Sequence, residues 1–157
     1  MLQELSVLMY SEPLVRVKNA ADFPNLDNPL HLAILLLDAD IEIDMSGMDG
    51  FISGKSGQNI LLVTKALQII GSNEWPPILE EIQALIRKHR LTWEQLKSDS
   101  TPPPPSLTGF TNDLKTLAPA YSLFNSEPDT EDTYALLCDY IEARLPAFNQ
   151  ELHRWKG

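Results

Sequence analysis

Residues Asp49–Ser56, DGFISGKS, end in Gly54-Lys55-Ser56 and lead into an apolar-periodic segment, the order found in a phosphate-binding loop. In such a loop backbone N–H groups cradle the phosphates, the lysine reaches the outer ones and the hydroxyl holds magnesium. The motif requires glycine five residues before its second glycine. Here that position is Asp49, a carboxylate that repels the anion it should wrap. The strand-like ILLLD, residues 34–38, precedes the segment instead of following it, and no alternation of strands and helices comes after. A divergent nucleotide-binding enzyme using Lys55 and Ser56 is kept only as an alternative.

Just upstream, Asp38, Asp40, Glu42, Asp44 and Asp49 fall at the first, third, fifth, seventh and twelfth positions of a calcium loop. The sixth position of that loop needs glycine for its sharp turn, and this chain has Ile43 there. His31, His89 and His153 are too scattered to share a metal. The lone Cys138 lies on an apolar helical face, where an inert thiol is expected and no disulfide can form within the chain. These residues therefore imply no metal, no cofactor and no catalytic constellation. The chain is expected not to be an enzyme.

The elements that must hold these residues read as helices. Leu2, Leu5, Leu8 and Met9 have helical spacing and predict a short helix ending before Pro13; residues 13–17 read as extended or irregular. Asp27 or Asn28 can cap a helix with Pro29 in its first position, its inner stripe being Leu30, Ala33, Ile34, Leu37 and Ile41. Residues 37–45, LDADIEIDM, alternate apolar and acidic positions, as a half-buried strand also would. Helix is favoured because no comparable second strand exists to pair with one. A glycine-rich turn follows. Ile60, Val63, Leu67 and Ile70 then predict a helix stopped by Gly71.

Asn73 is the expected cap of the next helix, with Pro76 and Pro77 in its first turn and Ile78, Leu79, Ile82, Leu85 and Ile86 inward. Arg87, Lys88 and Arg90 suit its C-terminal dipole. Thr92 and Gln95 form a capping box for a short helix. Residues 99–106 read as a proline-rich surface connector, residues 111–124 as a helix broken near Pro119, and Asp129 to Leu145 as a helix followed by a final segment from Pro146. The expectation is an all-α fold, one compact multi-helix domain over residues 1–157.

Charge narrows the partner. With 22 acidic and 12 basic residues the net charge is -10, which disfavours direct binding to nucleic acid or an anionic membrane. The amino-terminal residues have no basic n-region, and no apolar run is long enough to span a bilayer, so the chain reads as cytoplasmic. From Asn19 to Gly54 there are seven acids and no Lys or Arg; from Thr116 to Ala143 there are six more, again without a base. On a helix Asp38 and Glu42, like Asp40 and Asp44, are i,i+4 neighbours of like charge, each pair costing roughly 0.2–0.5 kcal/mol. Carboxylates spaced along a rigid helix can imitate a row of phosphates; a merely solvated acidic surface would read the same way.

The stretch from Glu42 to Gly71 resembles a widespread bacterial family of unknown function that includes a DNA-mimic protein. Glu42 and Ile43 stand in its Glu-Val places, Gly47 at its second glycine, Met48 at its first aromatic, Phe51 and Ile52 at its aromatic pair, and Gly57 at its later glycine. ALQIIGS, Ala66 to Ser72 and including Gly71, closes the signature, and Tyr140 and Ile141 resemble its closing helix. Polar signature positions are replaced by Met45, Ser46, Gly50 and Gly54. The resemblance implies an all-helical fold, no cofactor, an ability to form a homodimer, and an acidic face directed at a DNA-binding regulator. The expected interaction surface is Asp38, Asp40, Glu42, Asp44 and Asp49, and the expected partner a basic protein. An immunity or antitoxin-like protein neutralising a basic toxin would use the same physics.

Overall fold

A computed structural model describes residues 11–54, 56–97, 105–125 and 127–156. The expected helix at Leu2–Met9 and residues 99–104 of the expected connector lie outside them. The described residues form eight α-helices and no strand, so the fold is all-α.

Helix α1, Glu12–Lys18, occupies the stretch expected to be extended. Pro13 sits in its first turn, where a missing N–H costs nothing, and Leu14 and Val17 bury one face. Helix α2, Pro29–Ser53, is the axis of the molecule. Asn28 caps it, its Oδ1 accepting from the N–H of Leu30 at 3.0 Å and of His31 at 3.3 Å, with Pro29 behind the cap. Leu30 to Leu37 are all buried, so this half carries no single stripe: it is enclosed on every side. The enclosure comes from α1 together with α3 (Ile60–Ile69), α5 (Trp93–Leu96), α6 (Pro105–Leu117), α7 (Thr133–Glu142) and α8 (Leu145–Lys156), all of which contact α2. Residues 37–45, for which a strand was the competing reading, continue the helix.

The glycine-rich turn is placed differently from the sequence expectation. At Gly47 the backbone adopts φ 72° and ψ 179°, a kink, and α2 then resumes to Ser53. The reversal is confined to Gly54 and a short 3-10 turn, Ser56–Asn59, before α3. At the end of α3, Gly71 (φ 90°) donates to Gln68 O and Ser72 to Leu67 O, a paired closure that satisfies two terminal carbonyls.

Helix α4, Trp75–Lys88, is not capped by Asn73: Glu74 precedes it, and Ser72 Oγ accepts from Trp75 N at 3.4 Å. The Thr92–Gln95 capping box of α5 forms as its residues require. Helix α6 starts at Pro105, inside the expected connector, and ends at Leu117, before Pro119 can disturb it. Helix α7 starts four residues later than expected, because Asp132 accepts from Ala135 N at 3.0 Å and fixes the start there. Leu145 then opens α8, which delivers Phe148 to the core.

Candidate functional site

The helical geometry of α2 sorts the five predicted acids, because residues two apart lie on nearly opposite faces. Asp38 meets Lys18 of α1 at 3.4 Å, and Glu42, on the same side, lies half-buried against Gly54. Asp40 and Asp44 point the other way, toward residues 119–125. Asp49 is exposed beyond the kink, its Oδ1 about 3.0 Å from where a Cβ on Gly47 would sit. The structure therefore brings Asp40 and Asp44 to one side, places Asp38 and Glu42 on the other, and leaves Asp49 apart from both, beyond the kink.

What Asp40 and Asp44 face is the second acidic run. Asp40 Oδ1 accepts from Phe124 N at 2.8 Å, and Asp44 Oδ1 accepts from Asn125 Nδ2 at 3.1 Å. Burial pushes the Asp40 carboxyl above the ordinary range, outweighing the hydrogen bonds from Phe124, Ser122 and Leu123 that pull it down; Asp44 adds repulsion. Asn125 Nδ2 also donates to Ser122 Oγ at 2.9 Å, which fixes the amide beside Asp44.

The far end of this segment is latched as well. Tyr121 Oη donates to Glu74, and Glu131 N donates to the other Glu74 oxygen at 2.9 Å. Ser72 Oγ and Asn73 N donate to the Glu131 carboxylate at 2.6 and 2.7 Å. The Glu74 hydrogen bond pushes the Tyr121 hydroxyl up to about 12, helped by burial. Tyr121 also meets Trp75 edge-on, with centroids 5.8 Å apart. Asp40, Asp44 and Glu131 of the two runs, together with Glu74, thus act as fixed acceptors that hold residues 121–125 and Glu131 against α2 and the start of α4, while Asp44, Asp49, Glu127 and Asp129 remain exposed.

Between the two elements lies a cleft of about 320 Å³. Asp44, Gly47 and Met48 form one wall, and Ala120, Tyr121 and Asn125 the other. Sequence reasoning did not single out Tyr121 or Asn125, and it read Glu127 and Asp129 only as members of the second acidic run, Thr116 to Ala143. The available signal for Tyr121 and Asn125 was Pro119, which forces irregular backbone after α6.

The motif-based alternatives meet the geometry directly. Asp49–Ser53 is helix, not a loop that could wrap phosphate, and Lys55 lies outside the described residues. A Cβ on Gly57 would fall on the carbonyl oxygens of Ile52 and Phe51, so this glycine serves backbone packing. The five positions that would ligate calcium lie on a helix that sends them to different faces. Burial pushes the half-buried Cys138 thiol up, away from the reactive range.

The model of the DMP19-like protein family matches residues 24–144, which include α2, the kink, the cleft and all of α7. The chain belongs to this family. No curated protein and no solved structure matches it. In this DMP19-like protein the signature positions Met48 and Phe51 are buried core, Gly47 and Gly71 have left-handed backbone, and Gly57 is a close-packing point. The signature therefore specifies how the kinked helix joins α3. No described helix is long and apolar enough to cross a membrane.

Proposed function

We propose that this DMP19-like protein is a non-enzymatic interaction protein whose acidic surface imitates DNA toward a basic DNA-binding protein. The observation that carries the reading is the joining of the two base-free acidic runs by the Asp40–Phe124 and Asp44–Asn125 hydrogen bonds. Each run alone is a patch. Joined, the two runs leave Asp44, Asp49, Glu127 and Asp129 exposed, charges whose field would attract a cationic partner and weaken with salt. Family membership supports the same reading.

The test captures partners from lysate on the immobilised chain, elutes them by a salt gradient, and asks whether duplex DNA competes for each. A quadruple variant, Asp44→Asn, Asp49→Asn, Glu127→Gln and Asp129→Asn, is run in parallel. The expected result is a basic DNA-binding protein released by salt, displaced by DNA and lost by the variant. A captured basic toxin that DNA does not displace would replace this reading with the immunity type. Capture indifferent to the four charges would overturn both.

A further inference from the structure

We infer that the cleft at the Gly47 kink receives one arginine side chain of the basic partner. This rests on the acidic-decoy reading and specifies where such a surface grips. Its volume, about 320 Å³, is at the bottom of the roughly 300–1,000 Å³ range of small-molecule sites, which suits one long side chain better than a nucleotide. Its chemistry is anionic: Asp44 lines it, Asp40 lies close enough to feel that charge, and no described Lys or Arg is within ion-pairing distance of Asp44.

The carboxylate is also prepositioned. Asn125 engages Oδ1 of Asp44 and is itself anchored on Ser122, so the acceptor is held in place before a ligand arrives. Arginine is favoured over lysine because its planar guanidinium can pair with a carboxylate and stack on an aromatic ring, and Tyr121 is among the residues lining the cleft.

The probe is N-acetyl-arginine amide, with N-acetyl-citrulline amide as its neutral isostere, titrated while the amide resonances of Gly47 and the Asn125 side chain are followed by NMR. Saturable shifts of both resonances are expected with the arginine compound and not with citrulline. Asp44→Asn, which keeps an acceptor for Asn125, should weaken the response by about tenfold or more. Ala120→Trp fills the cleft from an exposed position without changing charge and should abolish it. Equal shifts with citrulline, or shifts unaffected by Ala120→Trp, would overturn the inference. The two proposals separate cleanly. Partner capture that survives Ala120→Trp leaves the acidic decoy standing and removes the cleft, whereas arginine binding without any captured basic protein does the reverse.

Discussion

The Asp40 carboxylate accepts the backbone N–H of Phe124 at 2.8 Å, tying together residues 84 apart in the chain. Asp40 serves this contact in spite of its charge, since burial raises its pKa above 3.8. For a carboxyl whose folded pKa is raised, the native state holds the proton longer than the unfolded state. Its contribution is fully present below the unfolded value and declines as pH rises through the folded one. Asp40→Asn keeps an acceptor for Phe124 and never ionises. It should therefore lie within about 1 kcal/mol of the parent at pH 7 and compare better there than at pH 4, whereas Asp40→Ala should cost about 1–3 kcal/mol by orphaning the half-buried N–H. Urea unfolding at both pH values measures this; equal losses for Asn and Ala at pH 7 would show that the charge itself is needed.

Three signature glycines should respond differently to alanine. Gly71, with φ 90° and open space around it, pays only for left-handed backbone, about 1 kcal/mol. Gly47, with φ 72°, adds a contact to Asp49 Oδ1, a movable side chain, and should lose about 1–2 kcal/mol. Gly57→Ala forces a methyl onto two backbone carbonyls and should cost about 3 kcal/mol or more. Thermal melts of the three variants give the ranking. If Gly57→Ala melts no lower than Gly71→Ala, the close approach of Gly57 to the end of α2 is wrong.

Local signals were legible where one element contains both partners of an interaction. Asn28 with Pro29, Thr92 with Gln95, and Gly71 after Ile70 each define a helix end within a few residues, and the structure places those ends there. The all-α class followed from the same periodicities. Misplaced boundaries, such as the start of α7 at Thr133 in place of Asp129, arose where several acids in a row could each cap and only Asp132 does. The acidic residues were visible as a composition but not as a surface. Whether Asp38 meets Lys18 while Asp40 meets Phe124 depends on what packs against each face of α2, and sequence spacing carries no record of that.

His31 gives the fold a predicted acid limit. It is buried beneath Asn25, whose N–H donates to Nδ1 at 3.1 Å, and its ring lies 5.2 Å from that of Phe23. An Nδ1 that accepts requires the neutral imidazole with its proton on Nε2. Burial accordingly lowers the His31 pKa from 6.5, with Arg154 adding to the effect and Asp22 and Glu151 opposing it. Because the folded pKa is depressed, the unfolded chain takes up the proton first. Stability is complete above about pH 6.5 and falls as pH drops toward the folded value, by at most about 1.4 kcal/mol per pH unit from this group. His31→Leu should remove that slope while costing about 1–3 kcal/mol at neutral pH, because Asn25 N–H loses its acceptor. Chemical denaturation between pH 5 and pH 7.5 (the range bracketing about 6.5) compares the two chains. A slope that persists unchanged in His31→Leu would assign the acid sensitivity to another group and refute the neutral, accepting His31.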